Sequence, residues 1–141
     1  IKGGEVAMRG LATVGVRQRG QSFVELALLL SILMLILLGI IDLGRVFNAY
    51  IVITNAAREG ARHGSLHPTD TAGIQARAVA EAQESGIVLT SANVQVSSDI
   101  TPGTAKTVLV SYPFSAVSTL ISSFWGGGNL LLQSRAVMVI Q

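Results

Sequence analysis

Residues 17–41 read RQRGQSFVELALLLSILMLILLGII, and this stretch decides the architecture. Sixteen consecutive residues, Leu26 to Ile41, are interrupted only by Ser31 and Gly39. At the α-helical rise they cover roughly 24 Å, somewhat less than a hydrocarbon core of about 30 Å. Adding Phe23 and Val24 gives a full span and draws Glu25 into it. Apolar residues run all round the helix, so it is not an amphipathic surface helix. Arg17 and Arg19 precede the run, whereas Asp42 and Arg45 behind it nearly balance. The positive-inside rule then places the N-terminus in the cytoplasm and the C-terminal part outside.

A cleaved secretory signal shares the basic start and the apolar run. The run here is long, however, and no A-x-A site follows it. Helix-forming residues continue instead to His63, with no proline before Pro68. One helix from about Gln21 to His63 would be roughly 64 Å long, and its second half requires a packing partner.

Composition narrows the function classes. Half of the 141 residues are hydrophobic and 13% are charged, with the apolar surplus in one block. That distribution points to a membrane or a filament core rather than to a large soluble core. The net charge of +2 conceals an asymmetry. Lys2, Arg9, Arg17 and Arg19 face only Glu5 in the first twenty residues, and the rest of the chain is slightly acidic. The basic character thus belongs to the N-terminal arm and does not indicate nucleic-acid binding. There is no cysteine, which excludes disulfides and thiolate zinc sites.

A carboxylate at the edge of an apolar helix is expensive, about 2.5–3.5 kcal/mol at a helix centre and less near an interface. Glu25 either lies at the headgroup boundary or has a task. The order of basic arm, Gly20, four residues, Glu25 and apolar helix resembles the class III signal of type IV pilins. The resemblance implies a cut between Gly20 and Gln21 by a prepilin peptidase, with Glu25 the fifth residue of the mature chain. Glu25 would then meet the free amine of a neighbouring subunit in an apolar bundle. An ion pair there sets register because loss of either partner is costly.

Beyond the apolar run, Ala49, Ile53, Ala56, Gly60 and Gly64 recur at spacings of three and four on one helix face. Ala56, Gly60 and Gly64 form a small-xxx-small series that admits the close approach of another helix or a sheet. Asp42 with Arg45, and Glu59 with Arg62, are spaced to pair across one turn. Residues 55–62, NAAREGAR, resemble the most distinctive stretch of the TadE-like family. Val108 to Phe114 and Leu132 to Met138 resemble strands of the same family. The resemblance implies a pilin-like minor subunit or pseudopilin of the tight-adherence pilus, its partners being the membrane, other pilin-like subunits and a prepilin peptidase. It implies a place in the inner membrane, and in the extracellular fibre after processing. A leader-retaining inner-membrane protein that assists assembly, and an anchored extracytoplasmic binding module, remain open at this point.

The C-terminal part reads as a small α+β domain. Thr69 to Thr71 offer caps for a short helix over Ala72 to Ser85, ended by Gly86. The period then changes to two over Asn93 to Ser97, Thr107 to Tyr112 and Leu130 to Ile140. Val108, Val110 and Tyr112 share one face, as do Ala136, Met138 and Ile140. Pro102-Gly103 marks a turn between the first two strands. These segments predict an antiparallel sheet packed on the long helix. The organisation expected is a leader over 1–20, a long helix over 21–64 and an extracytoplasmic domain over 65–141. Residues 113–129 form a longer connection, on which Trp125 beside Phe124 closes a small core or serves as a contact tip.

No enzymatic constellation emerges. His63 and His67 with Asp70 have the spacing of a metal half-site, but Gly64 and Pro68 interrupt the helix there, and a solvated helix end is the expected state. The triple glycine at 126–128 is not followed by the Gly-Lys-Ser/Thr of a phosphate loop. Neither cofactor nor metal is expected.

Overall fold

The computed structural model describes residues 14–116, 123, 126 and 128–141, with side chains from Gly20 onward. The architecture is α+β: helix α1 (Val14–Leu66), helix α2 (Thr71–Glu84) and strands β1 (Val94–Val96), β2 (Ala105–Phe114) and β3 (Leu130–Val139). The strands form one antiparallel sheet in the order β1-β2-β3. The chain divides into two compact units, Ile1–Leu38 and Gly39–Gln141.

In the first unit, every side chain of α1 from Gly20 to Leu38 is exposed, Phe23 and the leucines included. Ser31, the one hydroxyl within the apolar run, donates to the carbonyl of Ala27 at 2.8 Å and so needs no outside partner. Among the described residues, α1 is the one helix long and apolar enough to cross a membrane.

The second unit has a core in which α1 and α2 lie against the sheet. Helical periodicity sends Ala49, Val52, Ile53, Ala56, Ala57 and Ala61 inward from α1. Ile74, Ala78 and Ala82 meet them from α2, and Val94, Val108, Val110 and Phe114 from the sheet. The alanines and glycines at this meeting let the helix backbones come close, because no long side chain separates them.

Several boundaries differ from the sequence expectation. Gly64 does not end α1, which runs to Leu66. The space above it is taken by neighbours, since a Cβ there would lie 3.0 Å from both Ile74 Cδ1 and Lys106 Cγ. Of the three expected cap positions, Asp70 is the one used: its Oδ1 accepts from the Gly73 N–H at 2.9 Å. β2 extends past both predicted ends, to Ala105 and Phe114, because the ladder to β3 carries Lys106 and Pro113 despite their weak strand preference. β1 is shorter, three residues, and Ser97 prolongs its pairing by one bond to the Thr107 carbonyl. Phe124 and Trp125 lie outside the described residues.

Candidate functional site

The residues singled out by sequence fall into two groups. Gly20, Gln21 and Glu25 lie on consecutive turns of α1 in the first unit, all exposed, with nothing within 4 Å of where a Gly20 Cβ would stand. Ala56, Gly60 and Gly64 are buried in the second unit. A Cβ on Gly60 would sit 3.3 Å from both Ala78 Cβ and Val108 Cγ1 and 3.4 Å from the Ile74 carbonyl oxygen. The small-residue face is therefore occupied by the chain's own α2 and β2.

Both predicted intrahelical pairs form. Arg62 grips Glu59 through two bonds of 3.0 and 3.2 Å, and this hydrogen bonding holds the Glu59 carboxyl below its ordinary range. Arg45 Nη1 lies 3.2 Å from Asp42 Oδ1, and its guanidinium stands 5.1 Å above the Phe114 ring. Asp42 is nonetheless buried, which its spacing alone did not announce. Ile41, Gly44, Arg45, Asn48, Ile87 and Phe114 border an open groove of about 460 Å³.

The histidine pair is a junction between helices. The His63 and His67 rings stack with centroids 4.8 Å apart, and His63 Nε2 lies 3.3 Å from Asp70 Oδ2. The Asp70 carboxyl is pulled below its usual range, first by the Gly73 amide and then by His63. One carboxylate thus caps α2 and fastens it to the end of α1.

Sequence reasoning missed Lys106. Its side chain is 1% exposed, and its Nζ donates to the carbonyls of Pro68, Ser97 and Asp99, each at 2.8 Å. An ammonium has three protons, and each finds an acceptor. Strand parity offered a signal, because Lys106 alternates in step with the inward Val108 and Val110.

Among the described residues, the longest uninterrupted exposed apolar surface is that of α1 from Gly20 to Leu38. The helix that carries Gly20, Glu25 and the buried NAAREGAR face is also where a known family maps. Residues 20–62 match the model of a family of TadE-like proteins. No curated protein and no solved structure matches the chain. The TadE-like stretch covers the exposed apolar helix and the Ala56–Gly60 packing face, and it stops before α2 and the sheet. The one long apolar helix among the described residues fits a single-pass membrane protein.

Proposed function

We propose that the chain is a structural, pilin-like subunit of a tight-adherence pilus, active in pilus assembly and surface attachment. The observation that carries this reading is that the TadE-like match takes in the stretch of α1 from Gly20 to Leu38, whose apolar side chains are all exposed. Arg17 and Arg19 hold the N-terminus on the cytoplasmic side of the inner membrane, and the domain lies outside. A prepilin peptidase cuts between Gly20 and Gln21. A protease reads extended backbone, so α1 must open locally, and at a glycine a helix opens at a cost about 1 kcal/mol below alanine. Glu25 then offers its carboxylate to the new amine of a neighbouring subunit and fixes the register of the bundle. The bound partners are other pilin-like subunits, and no step calls for a cofactor or a catalytic residue.

One observation favours a second reading. α1 continues unbroken through Gly20 to Val14, as expected of a membrane protein that keeps its leader and assists assembly from the inner membrane. Intact mass and N-terminal sequencing of the protein from native membranes and from a sheared surface fraction separate the two. A chain beginning at Gln21 is expected. A surface-fraction chain that still carries Arg17 and Arg19 would overturn the processed-subunit mechanism.

A further inference from the structure

β3 is an edge strand whose outer side is unpaired among the described residues. Ile140 shows which of its backbone groups are free. Its N–H donates to the Thr104 carbonyl at 2.9 Å, and its own carbonyl accepts from Gly103 at 3.0 Å, so Ile140 faces β2. The register from Ala105↔Val139 to Phe114↔Leu130 is unbroken. Even-numbered residues of β3 therefore face β2, and Leu131, Gln133, Arg135, Val137 and Val139 turn their N–H and C=O groups outward. Gln141 confirms the parity, since its N–H points away from β2 and donates to the Ser65 carbonyl at 3.0 Å.

The two edges of the sheet are treated differently. At β1, the Gln75 side chain donates to the outward carbonyl of Val94 at 3.0 Å and blocks extension. β3 has no such plug among the described residues. It has no proline, and Arg135 is its one charge, whereas exposed edges are ordinarily guarded by charges, prolines or bulges. Apolar side chains flank it on both sides. On the outer face Leu131, Val137 and Val139 are 58%, 50% and 61% exposed. On the inner face Thr54 Oγ1 lies 3.0 Å from Ser134 Oγ, which places α1 above β3. Helical spacing sets Leu43, Phe47 and Tyr50 along the same flank as Thr54, and all three are exposed. The free backbone donors and acceptors of the edge are thus accompanied by exposed apolar side chains on β3 and on the α1 segment above it.

We propose that the outer edge of β3 receives an extended strand from a different protein chain, apolar at alternate positions and carrying an acidic residue beside Arg135. The free backbone groups require an extended occupant, the exposed apolar side chains require apolar partners, and Arg135 has only Leu109 as its cross-strand neighbour. A second copy fits poorly. Pairing antiparallel through β3 sets two α1 helices over strands about 5 Å apart, where packed helices need about 8–10 Å. Pairing parallel in register with the faces aligned sets Arg135 beside its own counterpart, a like-charge contact. The contact lies wholly within the second unit and does not depend on processing at Gly20.

The test is amide hydrogen exchange of the full chain in detergent micelles. The probe is an end-capped nine-residue peptide of alternating valine and threonine with a central glutamate. In the isolated chain the amides of Leu131, Gln133, Arg135, Val137 and Val139 should exchange fast while those of Ser134 and Ala136 stay protected. The peptide should slow the five outward amides by about tenfold or more. A peptide with arginine in place of glutamate should not, and Arg135→Glu should reverse that preference. Val137→Pro removes only an outward N–H, so it should abolish the peptide effect and leave Ser134 and Ala136 protected. The proposal is overturned if the five amides are already slow in the isolated chain, whether independently of concentration, through cover by its own segment, or with rising concentration, through a second copy. It is equally overturned if millimolar peptide leaves them fast.

Discussion

Replacing Lys106 by methionine tests what holds the second unit together. The substitution keeps the stem that packs against Gly64 and removes the ammonium that binds Pro68, Ser97 and Asp99. Those three carbonyls belong to the α1–α2 turn and to the β1–β2 connection, so one side chain fastens segments far apart in sequence. Bonds from a charged donor contribute about 1.5–3 kcal/mol each. Against them stands the desolvation of a buried ammonium, several kcal/mol, which the methionine variant recovers. The net loss expected is about 3 kcal/mol, the three charged-donor bonds less the recovered desolvation. That is a large share of the ~5–15 kcal/mol typical of a domain. Lys106→Ala should cost more, since it also opens a cavity beside Ile74. The assay is native-state hydrogen exchange of the β2–β3 ladder amides in the full chain. A loss of about 3 kcal/mol lowers protection by about two powers of ten. Protection within about 0.5 kcal/mol of wild type would refute the argument and show that the carbonyls rehydrate freely.

Three further outcomes follow from the geometry. Gly60→Val should destabilise the second unit by about 2 kcal/mol, because its Cβ would stand 3.3 Å from both Ala78 Cβ and Val108 Cγ1 and leave no room for the two methyls, whereas Gly44→Ala, into open space, should stabilise α1 by up to about 1 kcal/mol in the same exchange assay. The depressed Asp70 carboxyl contributes stability that is full above its unfolded value near 3.9 and lost as pH falls through the lower folded value. Asp70→Asn keeps a capping oxygen but cannot titrate, so unfolding of the variant should show a flatter dependence below about pH 4, and an unchanged slope would remove Asp70 from the account. Glu25→Ala should leave membrane insertion intact and reduce recovery of the subunit in the sheared surface fraction; normal piliation would count against Glu25 as the register residue.

Much of this fold was legible because its periods are unambiguous. The apolar run, the three-and-four spacing of Ala49 to Gly64 and the alternation of Val108, Val110 and Tyr112 each admit one element type. The pairs Asp42–Arg45 and Glu59–Arg62 were legible for the same reason, since helical spacing alone brings them together. What escaped depends on contacts between distant segments. The acceptors of Lys106 are backbone carbonyls at 68, 97 and 99, and carbonyls leave no signature in a sequence. The cap of α2 was left open because Thr69, Asp70 and Thr71 are all competent, and the choice falls to Asp70, which alone also reaches His63. The ends of β2 escaped because lysine and proline weaken a strand pattern that a neighbouring strand then enforces.

The small-residue series of α1 is the point at which sequence and structure bear on function together. Such a series admits a partner helix, and on an exposed helix it would be counted as an assembly face. Here Ala56, Gly60 and Gly64 are already spent on Ala78, Val108, Ile74 and the Lys106 stem. An incoming helix cannot use that face without displacing the sheet. Contacts between chains are thereby directed elsewhere: to the apolar surface headed by Glu25 in the first unit, and to the flank of Leu43, Phe47 and Tyr50 with the bare edge of β3 in the second. The first is a surface on which identical helices can pack, and the second is shaped for an extended strand. Glu25→Ala should weaken the former and Val137→Pro the latter. Because the two changes lie in different units and touch no common residue, their effects on assembly should be additive, and strong non-additivity would mean that one contact forms only through the other.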